Sequence, residues 1–257
     1  MNLPSQQPGS PVADGKSRKY SAAEFALAQE AARKRLYPSI LESSYITLRN
    51  RRQLMEQFFA QFRSVGRVLD VGAQYCPYYP LFKQKCDSYT SLDVVDTPIV
   101  DVVCDASDMP LDDNSFDLAL CTEVLEHCNE PQAIIDECHR VLRPGGTLVV
   151  TVPSIFPQHG YPADNWRFMP DGLKYLLRAF SRVEVLGELD FPESFFSVTG
   201  HYGHVLTGRL GGLGRGIDVM WDFAINVSGL FWSRVLRPFA NSNFAAFTMS
   251  LWAEAQK

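Results

Sequence analysis

The sequence predicts an α/β fold built on a mostly parallel sheet with helices on both faces. Two observations predict it. From Arg67 onward, short apolar runs rich in β-branched residues alternate with segments of helical periodicity. Several of those runs end on a glycine or a carboxylate, as strands feeding a ligand-binding edge do.

The elements follow in order. Met1 to about Lys19 is rich in Pro, Gly, Ser and Gln, and reads as a disordered tail with nothing to bury. Ser21-Ala-Ala-Glu24 has the form of a capping box that opens a helix, and Ser39-Ile-Leu-Glu42 repeats it before a second helical stretch running to Phe62. Arg67–Val71 is the first strand, and Pro77 suits the first position of a short helix. Ser88–Val95, Val100–Cys104 and Phe116–Thr122 are further strands. A helix from Asn129 and Pro131 places Ile134, Ile135, Cys138, Val141 and Leu142 on one face, and Pro144-Gly145-Gly146 stops it. Thr147–Val152 is a strand, Asp171–Phe180 a helix and Arg182–Glu188 a strand. Glycines from Gly200 to Gly216 mark a flexible stretch, read as a mobile lid. Ile217–Leu236 is a strongly apolar helix and Ala245–Glu254 the last strand. The expected organisation is a tail over 1–19 and one domain over 20–257: helices at 20–64, a core at 65–153, and an acceptor-side and C-terminal sheet segment at 154–257.

A chain of 257 residues with 46% hydrophobic and 21% charged residues has enough apolar material for a sizeable core. A net charge of -5 argues against a nucleic-acid partner, which usually meets a basic domain. The six cysteines include no C-x-x-C pair, so no metal is expected and the thiols read as buried and reduced. The start lacks a signal-type apolar run and no stretch is long enough to span a bilayer, so the expected location is cytoplasmic. The Ile217–Leu236 helix either packs on the sheet or rests peripherally on a membrane surface. Oligomeric state is not legible.

Function must lie at the carboxyl ends of the strands. Val68-Leu-Asp-Val-Gly-Ala-Gln74 offers Asp70 and a glycine turn at Gly72. Asp93 ends the next strand, about 20 positions on, where an acid commonly accepts hydrogen bonds from ribose hydroxyls. Asp105 follows the third strand, where a carboxylate can accept a hydrogen bond from an adenine amino group. Cys121-Thr-Glu-Val-Leu-Glu-His127 closes the fourth. Singly each is as easily a cap or a structural turn; their order and spacing are the signal.

Together with Asp105-Ala-Ser-Asp-Met-Pro-Leu-Asp-Asp-Asn-Ser-Phe-Asp117 and His139-Arg-Val-Leu-Arg-Pro-Gly-Gly146, these blocks resemble the class I S-adenosylmethionine-dependent methyltransferases, in the type 11 branch that acts on small molecules. The resemblance covers about a third of the chain. It implies a Rossmann-like seven-stranded sheet whose last strand is antiparallel, and S-adenosylmethionine as cofactor. It further implies that Asp70 and Gly72 shape the cofactor loop, Asp93 holds the ribose, Asp105 and Ala106 frame the adenine, and Cys121 and its neighbours line the methionine moiety. One departure stands out: Gln74 and Cys76 replace further glycines usual in the first loop. Their side chains would either crowd the cofactor or turn away from it.

The implied reaction is methyl transfer to a small molecule, most simply to a hydroxyl oxygen of a sugar, quinone-like compound or other metabolite. Such a reaction benefits from a general base, and His127, His159 and Asp164 are the candidates. Against each stands a structural role: a helix cap for His127, a packed polar loop for His159–Phe168. Arg49, Arg51 and Arg52 form a basic run that is either a solvated helix face or a contact for an anionic acceptor. Two other classes compete. An interaction protein that kept the fold and lost catalysis is suggested by Gln74 and Cys76. A nicotinamide oxidoreductase is disfavoured because the first turn lacks Gly-x-Gly-x-x-Gly.

Overall fold

In the computed structural model the described residues are 20–159, 163–207, 211–236 and 248–257. The proposed tail, Tyr161 and Pro162, Arg209, and the start of the expected last strand lie outside them.

Ser21 opens α1 (Ala22–Leu36) with the expected reciprocal cap: its Oγ accepts from the Glu24 amide, and the Glu24 carboxylate accepts from the Ser21 amide. The second expected box does not cap a helix. Ser39–Glu42 instead closes a turn, with the Glu42 amide donating to the Ser39 carbonyl at 3.0 Å, and α2 spans Tyr45–Ala60. Spacing alone cannot separate a cap from a turn, because both satisfy the same backbone donors.

The alternating segment then gives β1 (Gly66–Val71), α3 (Tyr79–Phe82), β2 (Cys86–Asp93), β3 (Val102–Val103), β4 (Phe116–Thr122), α4 (Pro131–Val141) and β5 (Leu142–Pro153). The Pro-Gly-Gly stop ends α4 as expected, but β5 begins at once and runs through it. After β5 come α5 (Pro170–Leu176), β6 (Arg182–Gly187), α6 (Phe191–Thr207), α7 (Gly211–Leu236) and β7 (Ser250–Gln256). The seven strands form one sheet in the order β3-β2-β1-β4-β5-β7-β6. β1 to β5 pair in parallel, and β7 runs antiparallel to both β5 and β6. This is the seven-stranded, mostly parallel sheet the sequence implied, with its last strand antiparallel.

One face of the sheet packs Leu69, Val71, Ala119, Cys121 and Val150 against Ile134, Ile135 and Cys138 of α4. The other packs Val68, Leu118, Leu120 and Trp252 against Phe58 and Phe59 of α2 and Phe82 of α3. All six cysteines are free thiols.

The glycines between 200 and 207 belong to a helix rather than to a loop. A Cβ on Gly203 would meet the Trp221 indole at 2.1 Å, and one on Gly200 would meet Ile225 at 3.2 Å. They let α6 and α7 approach closely, a use of glycine that looks like flexibility when only one of the two helices is in view. The outward face of α7 is apolar and exposed at Met220, Phe223, Val227 and Phe231. Among the described residues no helix is long and apolar enough to cross a membrane.

Arg51 departs from the solvated-face reading. It is 1% exposed and donates to both oxygens of Glu188 at 2.7 and 2.8 Å, to Glu123 Oε1 at 2.9 Å and to Ser250 Oγ at 3.0 Å. Arg49 lies 3.6 Å from Glu193 on α6, and Arg52 pairs with Glu56 and stacks over Tyr37. Removing the guanidinium leaves two carboxylates facing each other without a counter-charge. Arg51→Met should therefore lower the unfolding free energy by roughly 3–5 kcal/mol. Denaturant titration measures it, and a loss under about 1 kcal/mol would show the cluster to be dispensable.

Candidate functional site

The carboxyl edge of the sheet brings together the ends of β1, β2, β3 and β4, as crossover topology requires. At the end of β1, Gly72 has φ +69, and a Cβ there would meet Val124 Cγ2 at 2.2 Å. Glycine is thus demanded twice, by backbone hand and by the turn after β4. The two residues standing in place of glycines keep the left-handed conformation: Gln74 has φ 40 and Cys76 φ 51. The loop therefore holds its shape without the residues that adopt it most easily. Their side chains leave the loop in different directions. Cys76 is buried, its Sγ 3.6 Å from the Ile99 carbonyl, and burial pushes its thiol up to about 12. Gln74 is exposed.

Asp93 organises this loop. Its Oδ2 accepts from the Gln74 amide at 3.0 Å and its Oδ1 from the Val95 amide at 2.8 Å, so each oxygen keeps a further lone pair. Asp70 lies beneath, 1% exposed, accepting from the Tyr89 hydroxyl at 2.7 Å. Burial raises its carboxyl to about 7 in spite of that hydrogen bond, and the charge of Asp93 adds to the rise. Asp105 is exposed, and the Ser107 amide and hydroxyl, both bonded to its Oδ1, lower its pKa; Ala106 beside it is half-buried. Cys121 is wholly buried, with its thiol paired to Cys138 in the core, so no thiol reaches the edge from that position.

The turn after β4 and the loop after β5 are clamped together. The Glu126 carbonyl accepts from the Asn165 amide at 2.7 Å, and the Trp166 indole donates to the Cys128 carbonyl at 2.9 Å. His127 Nδ1 is 2.8 Å from the Ala163 carbonyl. A carbonyl can only accept, so Nδ1 carries a hydrogen, and in the neutral ring the lone pair is then on Nε2. The rings of His127 and His159 meet edge to face at 5.5 Å. His159 also stacks on Phe156 at 4.8 Å, and Phe156 on His201 of α6 at 4.8 Å, so a row of rings ties this edge to the helical insertion. Burial lowers the pKa of His159, which keeps its imidazole neutral at pH 7. Both oxygens of Asp164 are taken by Arg167 at 2.6 Å, and Oδ2 also accepts the His159 amide at 2.8 Å; Arg167 holds this carboxyl far below its ordinary value. Asp164 is thus an anchor for the loop and for His159 more than a free base.

Sequence reasoning did not single out Glu126. Its side chain is 0% exposed, neither carboxylate oxygen has a hydrogen-bond partner, and Oε1 lies 3.6 Å from His127 Nε2. Burial, followed by the nearby charge of Glu123, raises it to about 9. The only available signal was its position beside His127. Two open clefts of about 370 and 480 Å³ lie elsewhere, one at the amino ends of the strands around Gly66 and Asp117, the other between α2 and Trp252.

Residues 69–150 match the protein family described as "Methyltransferase domain". A ubiquinone biosynthesis O-methyltransferase of Psychrobacter cryohalolentis is 36% identical over 67 residues, 26% of this chain and 24% of that protein. A demethylmenaquinone methyltransferase of Clavibacter sepedonicus is 35% identical over 91 residues, 34% of this chain and 37% of that one. The matched stretch thus spans 24% and 37% of these relatives' lengths. Among solved structures, the [4+2]-cyclase SpnF superposes with a TM-score of 0.51 at 22% identity, over 83% of this chain and 82% of that one. A 1,6-didemethyltoxoflavin-N1-methyltransferase of Burkholderia thailandensis gives 0.50 at 18%, over 95% and 93%. The class I methyltransferase resemblance is borne out for the segment 69–150, and the fold for the sheet as a whole.

The buried Asp70 makes a prediction about pH. The unfolded chain ionises this carboxyl in the ordinary range, whereas the folded chain holds its proton up to about 7. Folding stability therefore falls as pH rises across that window, by on the order of a few kcal/mol from this group. Asp70→Asn removes the ionisation, so its melting temperature should decline less than that of the wild type between pH 5 and 7. Parallel profiles for the two proteins would show that Asp70 is ionised in the fold.

Proposed function

We propose that this chain transfers a methyl group from S-adenosylmethionine to an oxygen of a small-molecule acceptor. The observation that carries the reading is the first loop. It keeps left-handed backbone at 72, 74 and 76 beside Asp93, while the Cys76 side chain is buried with its Sγ against the Ile99 carbonyl. A cradle that keeps its shape at conformational cost is expected where a ligand uses that shape. The residues fit the cofactor: Asp93 keeps a free lone pair on each oxygen, which would accept from the ribose hydroxyls; on the same reading Asp70 and Gly72 would shape the loop, Asp105 and Ala106 would frame the adenine, and the backbone at Cys121 would line the methionine end. The names of the relatives, a ubiquinone biosynthesis O-methyltransferase and a demethylmenaquinone methyltransferase, support methyl transfer and favour a ring-bearing small molecule.

S-adenosylmethionine, when bound, supplies a methyl group already activated by a positively charged sulfur. The protein then has to align the acceptor, which is worth roughly 7–11 kcal/mol in well-oriented systems, and to take its proton. His127 presents the Nε2 lone pair for that proton, and neutral His159 stands beside it as a second acceptor. Asp164 positions His159 through the loop. The row of rings to His201 makes α6 a wall of the acceptor side.

A second reading is favoured by one comparison and two residues. The [4+2]-cyclase shares the fold, so the fold does not by itself dictate methyl transfer. Gln74 and Cys76 would suit a chain that kept the fold and binds a partner instead.

Calorimetric titration separates these. S-adenosylmethionine should bind, and NADH should not. Asp93→Ala should weaken the binding by more than about 1 kcal/mol. Failure of the folded wild type to bind S-adenosylmethionine would favour the partner-binding reading. His127→Ala should slow O-methylation with little change in cofactor affinity, and an unaltered rate at every pH would remove His127 as the base.

A further inference from the structure

The turn after β4 holds more donor atoms than proton transfer requires. One donor atom each from Glu126, His127 and His159 lies within 4.8 Å of the other two. Proximity of such groups is common, but the state of Glu126 is not. Its carboxylate is completely buried and both oxygens lack hydrogen-bond partners, a situation native proteins rarely leave unexplained. The cations nearby are already engaged: Arg51 with Glu188 and Glu123, Arg167 with both oxygens of Asp164. His127 is oriented as metal-binding imidazoles are. Its Nδ1–H donates to a backbone carbonyl, which fixes the ring and points the Nε2 lone pair at Glu126.

We infer that Glu126, His127 and His159 form a binding site for a divalent first-row transition-metal ion. Two imidazoles and one carboxylate are the donor set of borderline ions such as Zn²⁺, Co²⁺ and Fe²⁺, whereas Mg²⁺ and Ca²⁺ prefer all-oxygen sets. Metal–ligand bonds of about 2.0–2.2 Å require the three donors to draw together by roughly an ångström. His159 is the most exposed residue of the three and is the one whose adjustment closes the site. Three protein ligands leave a coordination position open toward the acceptor side. An acceptor hydroxyl bound there would lose its proton to solvent more readily, with the metal replacing the imidazoles as the activating group. That use rests on the methyl-transfer reading; the binding of the ion does not.

The test uses the untagged, metal-free full chain titrated with Co²⁺, read by its ligand-field absorption, and with Zn²⁺ by calorimetry. One ion per chain is expected, with an absorption intensity typical of low coordination number. Glu126→Gln and His159→Ala should each weaken binding by more than about 10-fold, the lower bound seen when only an outer partner of a ligand is lost. His139→Ala, on α4 against Phe180, should bind as the wild type does. Zn²⁺ should raise the melting temperature of the wild type and of His139→Ala but not of Glu126→Gln, which also reports that each variant folds. No Co²⁺ spectrum from the wild type, or equal affinity in all three variants, would overturn the site. S-adenosylmethionine titrated into the same samples keeps the two readings apart. Metal binding without cofactor binding would sink methyl transfer alone, and the converse would sink the metal site alone.

Discussion

The buried guanidinium of Arg51 is the interaction on which the arrangement of the candidate site depends. It comes from α2, outside the segment that matches the methyltransferase family, and joins the end of β6 through Glu188, the end of β4 through Glu123 and the start of β7 through Ser250. Three strand ends and a helix are thus held by one cation. Such a cluster is costly to bury and costlier to break, because the carboxylates cannot return to water without opening the sheet edge. Glu123 is held with φ 56, a conformation disfavoured for a residue with a side chain. Its ion pair and the Thr151 hydroxyl at 3.3 Å help to keep it there. Three and four residues later the chain delivers Glu126 and His127 to the edge.

The two halves of the candidate site are made by different means. The half proposed for the cofactor is backbone: a left-handed loop in which the Gln74 amide donates to Asp93 and Gly72 lies close against Val124. It therefore tolerates Gln74 and Cys76, because a side chain matters there only if it points inward. The half proposed for the acceptor is side chain: His127 is fixed by the Ala163 carbonyl, His159 by the hydrogen bond from its amide to the Asp164–Arg167 pair and by ring contacts through Phe156 to α6, while the Glu126 carboxyl is buried without a hydrogen-bond partner. On the methyl-transfer reading, a site divided this way keeps its cofactor while its acceptor changes, since the proposed acceptor half hangs on segments outside the sheet. The apolar outer face of α7 lies in the same insertion, so variation in that hairpin would reach the acceptor side first.

How far the site could be read from the sequence follows this division. The positions of Asp70, Gly72, Asp93 and Asp105 along one edge were legible because topology puts every parallel strand end there, at or beside which these residues stand. His127 and His159 were legible as candidates but not as a pair, since 32 residues and a full strand separate them. Glu126 was invisible as a site residue: an acid beside a histidine in a turn is ordinarily solvated, whereas here the side chain is buried and the 163–168 loop is hydrogen-bonded to its backbone carbonyl.

The sequence by itself determined the order and type of the elements, from the strand ending at Val71 to the helix that Pro131 opens. It also determined the sheet class, because periodicity and caps are local properties of the chain. Tertiary structure decided the rest. Arg51 reads as one more exposed cation until two carboxylates, 72 and 137 residues away, are brought to it. Gly200 and Gly203 read as a flexible loop until Ile225 and Trp221 press against them. In each case the residue's role is set by what covers it, and burial is a property of long-range neighbours that no local pattern contains.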